Sequence, residues 1–134
     1  MRRLLLAATA VAATLSSAVA QQDKYVGQWN CQIANQTISN NRFENYMFSF
    51  GMSLQSNGSF RAQGMYWAET NGFNDPFNAQ GQWQAFDEGI TGNGQAFKQT
   101  GNLPFVFAFR YHGPGSMTYR TQTANGQLAM ACTR

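Results

Sequence analysis

From residue 22 onward, apolar and polar positions alternate in short runs, the period of strands with one buried face. Tyr25, Gly27, Trp29, Cys31 and Ile33 share one face of a first strand, and Gln28, Asn30 and Gln32 take the other. The longest stripe is Tyr46, Phe48, Phe50, Met52 and Leu54. It runs into Asn57-Gly58, a tight-turn dipeptide. Phe60, Ala62, Gly64, Tyr66 and Ala68 continue the same face on the return strand, so 45–69 reads as a hairpin. Residues 70–76 are a loop by composition. Phe77, Ala79, Gly81, Trp83 and Ala85 then alternate with glutamines, and a Gly-rich strand covers roughly 90–99. Gly101 to Pro104 read as a turn into a sixth strand, 105–111. After Gly113-Pro114-Gly115, a seventh strand begins with Met117, Tyr119 and Thr121, and Asn125-Gly126 folds it back onto Leu128, Met130 and Cys132.

Eight short strands with regular turns predict an all-β chain, and its only two cysteines say how it ends. Cys31 lies in the first strand and Cys132 two residues from the C-terminus. A disulfide between them makes the first and last strands adjacent, which favours a closed antiparallel up-and-down β-barrel of about eight strands over a sandwich. Closure also removes exposed strand edges. A bridge of that span stabilises by on the order of 4 kcal/mol on the chain-entropy argument.

Residues 1–20 read as a signal peptide: Arg2 and Arg3, an apolar stretch from Leu4 to Leu15, and a small-residue cleavage site at Ala18-Val19-Ala20. That apolar stretch is short for a membrane span. The expectation is a secreted or periplasmic protein, where a disulfide persists, with residues 21–134 as one domain and no membrane span in the mature chain. Loss of Arg2 and Arg3 leaves seven basic against six acidic residues, a net charge of +1. With charged residues at 11% and no basic cluster, nucleic acid is excluded as an expected partner. Asn, Gln, Ser and Thr supply the polarity instead.

Gly27-Gln28-Trp29 on the first strand of a small secreted barrel resembles the calycin superfamily, the lipocalin-like and avidin-like barrels. The resemblance implies that Trp29 closes one end of the barrel and that Arg134, just past Cys132, packs over it. The Asn57-Gly58 hairpin with Phe60 and Gly64 is similar to the second hairpin of avidin-like chains. The other lipocalin motifs and a set of biotin contacts are absent, so no ligand carries over.

Catalytic chemistry finds little to work with. His112 is the sole histidine and has no evident nucleophile or orienting acid around it. One histidine and two paired cysteines do not make a zinc site, and no metal or cofactor is expected. Asp87-Glu88 read as a solvated turn. The expectation is a non-enzymatic protein. The aromatic residues are the remaining candidates: they fill a core or line an apolar cavity. Tyr46, Phe48, Phe50, Tyr66, Trp67 and Trp83 are the candidate contacts for a small, largely apolar ligand. Gly27, Gly64, Gly81, Gly92 and Gly94, on the inward face, either make room for aromatic rings or leave a cavity. If Val106 and Ala108 face inward, Phe105, Phe107 and Phe109 form an outer patch suited to a partner or a homo-oligomer. The alternative function is therefore a protein-binding module, such as a periplasmic enzyme inhibitor.

Overall fold

A computed structural model describes residues 22–39, 42–69, 74–123 and 126–134; the stretch 1–20 expected to be a signal peptide, the residues 70–73 of the expected loop, and Asn125 lie outside them. The strands are β1 (Gly27–Ser39), β2 (Arg42–Leu54), β3 (Ser59–Ala68), β4 (Asn74–Phe86), β5 (Gly89–Lys98), β6 (Gly101–Gly113), β7 (Ser116–Thr123) and β8 (Gly126–Thr133). Each pairs antiparallel with the next, and β1 also pairs with β8, closing a barrel. Cys31 lies directly opposite Cys132 in the β1–β8 register, and the two are disulfide-bonded with Cα atoms 4.1 Å apart. The alternation seen in the sequence is therefore the pleat of a wall with one dry face. Gln28, Asn30, Gln32, Gln63, Asn78, Gln80, Gln82 and Gln84 stand exposed on the outer face.

The β2–β3 connection is longer than a two-residue Asn-Gly turn. Four residues, Gln55–Gly58, separate the strands, with Gly58 at φ +86° and the Asn57 Oδ1 accepting from the Ser59 N–H at 3.0 Å. Gly58 supplies the left-handed step, and Asn57 holds the turn through its own side chain.

Three expectations change. Asn74, Asp75 and Pro76, expected in a loop, begin β4 and pair with β3. Phe105, Phe107 and Phe109 face the interior and are buried, while Val106 is 63% exposed, so the outer phenyl patch does not form. The three rings have far more apolar area to bury than Val106 and Ala108, and that decides the parity of β6. Pro104 and its neighbours do not turn the chain; they lie within β6. The interior is packed with rings: Phe48 meets Phe77 at 5.0 Å, Phe60 meets Phe107 at 5.0 Å, and Phe107 meets Phe109 at 5.6 Å between centroids. The inward glycines leave no void. A Cβ on Gly92 would sit 2.2 Å from the Phe107 ring, and one on Gly64 would sit 2.0 Å from the Ser49 carbonyl oxygen. Gly92 makes room for a phenyl, and Gly64 for the close approach of β2.

One end of this packed barrel is sealed. Tyr25, in a short helical turn ahead of β1, is fully buried against Tyr111 and Trp83, with centroids at 5.3 and 6.4 Å. Trp29 is 1% exposed and donates from Nε1 to the Tyr25 carbonyl at 2.9 Å. Closure is uneven at one point. β6 and β7 pair only at Arg110↔Thr118, Tyr111↔Met117 and Gly113↔Ser116. Both strands continue toward the other end without further rungs between them, while β5 pairs with β6 and β8 with β7 along their length.

Candidate functional site

The end opposite Trp29 carries the connections 40–41, 70–73 and 124–125, which lie outside the described residues. There a cavity of about 340 Å³ is lined by Ile33, Tyr46, Phe48, Tyr66, Leu103, Pro104, Phe105, Val106, Leu128 and Met130. Period-two alternation puts Tyr46 and Phe48 on one inward stripe, and the β2–β3 register sets Tyr66 opposite Phe48. The Phe48 ring lies 4.8 Å from Tyr66 and 6.0 Å from Tyr46, and the two tyrosine rings are 6.2 Å apart. The result is a cup with a phenyl floor and phenol rings toward its mouth.

Of the six residues singled out in the sequence, Tyr46, Phe48 and Tyr66 line this cup. Phe50 lies one layer deeper, against Phe77 at 5.9 Å and Phe105 at 5.4 Å, and supports the floor. Trp83 belongs to the sealed end, where it packs on Tyr25 and donates from Nε1 to the Gln55 carbonyl at 2.9 Å. Trp67 alternates with Tyr66 and is set on the outer face, across from Met47 and Asn74. The sequence reading missed Leu103 and Leu128. Leu103 was assigned to a turn, and Leu128 was seen only as part of a final strand; both were legible as apolar residues sharing their strands' inward parity.

Polar groups near the mouth form a small chain. The Thr100 hydroxyl donates to Asp75 Oδ2 at 2.6 Å and accepts from Lys98 Nζ at 3.1 Å. Lys98 Nζ lies 4.1 Å over the Tyr66 ring. The Thr100 hydrogen bond, aided by the backbone N–H groups of Gln99 and Thr100 and the Lys98 charge, holds the Asp75 carboxyl below its ordinary value. Burial pushes the Tyr46 phenol up. Both shifts favour a fixed rim: a charged Asp75 tying the β5–β6 turn, and a neutral Tyr46 facing the cup.

The histidine lies apart from it. His112 is exposed and contacts Thr118 on the outer surface. Among the described residues no group of three His, Cys, Asp or Glu comes together to hold a metal. No helix there is long and apolar enough to cross a membrane.

No protein-family model matches the sequence, and no curated protein matches it. Among solved structures, a redesigned β-barrel, mFAP1, bound to DFHBI is similar to this chain with a TM-score of 0.51 and 13% identity, over 85% of this chain and 98% of that one. A second, de novo designed fluorescence-activating β-barrel is similar with a TM-score of 0.51 and 11% identity, over 84% and 95% respectively. At this identity the likeness concerns the fold. Fold and comparison together define a small, disulfide-closed, up-and-down β-barrel of eight antiparallel strands.

Proposed function

We propose that this chain is a secreted or periplasmic, non-catalytic barrel of the calycin-like type that binds a small, largely apolar ligand in the cup formed by Tyr46, Phe48, Tyr66, Leu103 and Leu128. The observation that carries the reading is the asymmetry of the two ends. One is sealed by Trp29 and Tyr25, while toward the other the described residues leave a cavity of about 340 Å³ over a phenyl floor. That volume lies toward the small end of ligand sites, which run roughly from 300 to 1,000 Å³. The ligand is therefore compact, of one or two fused rings, with a group able to hydrogen-bond the tyrosine hydroxyls. The designed barrel bound to DFHBI is a precedent for a small guest in such a fold. The disulfide supports an oxidising compartment, and the amide-rich outer wall is not the apolar band that a lipid-facing barrel presents.

The test is uptake of DFHBI and of anilinonaphthalene sulfonate by the mature protein, followed by fluorescence, beside Leu103→Trp. The indole should fill the cup and weaken uptake at least tenfold, with the near-ultraviolet circular dichroism of the fold retained. A native protein that takes up neither dye, or a Leu103→Trp variant that binds as well as native, removes the cup as a ligand site.

A further inference from the structure

We propose that the open seam between β6 and β7 is a strand-acceptor site. Its guest is an extended peptide segment of a partner protein, apolar at every second residue and acidic in between.

The backbone carries this argument. In an antiparallel ladder, successive residues direct their N–H and C=O groups alternately to the two neighbouring strands. The Tyr111 N–H bonds the Glu88 carbonyl on the β5 side at 2.7 Å, so Arg110 faces β7, where it pairs with Thr118. By the same alternation Ala108 and Val106 on β6, and Arg120 and Gln122 on β7, direct their backbone groups into the seam. None of the four has a β6–β7 partner. Pro104 has the same parity. A proline interrupts a ladder wherever its missing N–H would have been used, and is tolerated where that side of the strand is an edge. β6 thus behaves as an edge strand on its β7 side although it lies inside a closed topology.

The seam is also open to side chains. A depression of about 590 Å³ runs over Val106 and Ala108 on the outer wall and reaches Tyr119, Leu128 and Met130. The cup meets Val106, Leu128 and Met130 from the opposite side. Tyr119 has the inward parity of its strand but is 38% exposed, because no β6 residue covers it. A guest strand laid along Tyr119–Thr123 spans about 16 Å at roughly 3.3 Å per residue. Its alternate side chains would enter toward Tyr119, Leu128 and Met130. The others would face out beside Arg120, which has no ion pair among the described residues, whereas Arg110 is bound to Glu88 at 3.0 Å. This is the charge that calls for acidic outward residues. A small apolar molecule could fill the depth of the seam but would leave the strand edges unmatched. A peptide matches both, as in recognition by strand addition.

The probe is a capped hexapeptide alternating Glu and Val, titrated into the mature protein with amide hydrogen exchange read by NMR. The amides of Val106, Ala108, Arg120 and Gln122 should exchange freely in the unbound protein and slow at least tenfold at saturating peptide. N-methylating alternate residues of the peptide removes its donors on one edge and should abolish the protection. Ala108→Pro removes a seam-facing donor without breaking a β5 rung and should weaken the peptide several-fold while leaving dye uptake by the cup unchanged, since Ala108 does not line the cup. If that variant does not fold, the N-methylated peptide makes the same test on the native chain. Three results overturn the proposal: the four amides are already protected in the free protein, the N-methylated peptide binds as well as its parent, or millimolar peptide protects none of them. Protection by peptide in a protein that takes up no dye leaves the seam standing and removes only the cup.

Discussion

The guanidinium of Arg134 lies 4.1 Å from the centroid of the Trp29 ring. It also donates to the backbone carbonyls of Pro114, Val26 and Lys24. One residue at the C-terminus thereby covers the plug of the barrel, ties down the turn that carries Tyr25 and holds the β6–β7 connection. Trp29→Ala removes a fully buried indole and should cost about 3–5 kcal/mol. Arg134→Ala should cost roughly 1–2 kcal/mol, since the group is exposed and its cation–π contact is worth on the order of 1 kcal/mol. Arg134→Lys should recover less than half of that, because an ammonium cannot reach three carbonyls in a planar fork. Urea denaturation of the three variants checks the order. Equal stabilities for Trp29→Ala and native protein would contradict the plug.

The Cys31–Cys132 bridge pins the two strands that close the ring, 101 residues apart in sequence. Replacing both cysteines by alanine should lower stability by on the order of 4 kcal/mol. Intact mass after alkylation of the folded, unreduced protein should show no added label. Two labels would contradict the bridge.

Two glycines should respond in opposite ways to a single methyl group. A Cβ at Gly92 meets the Phe107 ring at 2.2 Å, whereas one at Gly51 meets nothing within 4 Å. Gly92→Ala should destabilise by about 1–3 kcal/mol. Gly51→Ala should be neutral or stabilising by a few tenths of a kcal/mol. Adding Phe107→Leu to Gly92→Ala should recover part of the loss, read as coupling in a double-mutant cycle. Additive costs would mean the ring does not occupy that space.

Acid should loosen the cup end of the barrel. The folded Asp75 carboxyl titrates below its ordinary value of 3.8, so the folded state favours the charged form. The stability this gives is fully present above that ordinary value and is lost as pH falls through the lower folded value. Asp75→Asn should remove this part of the acid dependence, measured as melting temperature between pH 5 and pH 2. Tyr46 has the opposite sign. Its raised phenol favours the neutral form, so its contribution is intact below pH 10.0 and is lost above it.

Much of the barrel was legible because period-two alternation and turn dipeptides are local signals. The terminal cysteines supplied one long-range constraint, and it is the one the β1–β8 register contains. The parity of β6 is weakly marked locally, since Phe105, Phe107 and Phe109 alternate with the apolar Val106 and Ala108 and only Arg110 sets that second face outward; burial in the assembled core favours the phenyl face. Trp83 was legible as an inward residue but not as belonging to the sealed end. That depends on the stagger of β4 against the Tyr25 turn, which no short motif encodes. Trp67 was grouped with Tyr66 by its chemistry, although its own parity set it outside. The missing β6–β7 rungs had one sequence signal, Pro104 within a strand, which reads equally well as a turn.

The cup is tested most directly by mapping the bound dye by NMR on the mature protein. Anilinonaphthalene sulfonate should shift resonances of Tyr46, Tyr66, Leu103 and Leu128 and leave those of Trp29, Tyr25 and Trp83 at the sealed end unmoved. Shifts confined to the sealed end, shifts confined to Met65 and Phe97 on the outer wall, or no shifts at saturating dye would contradict the assignment of the cup as the binding site.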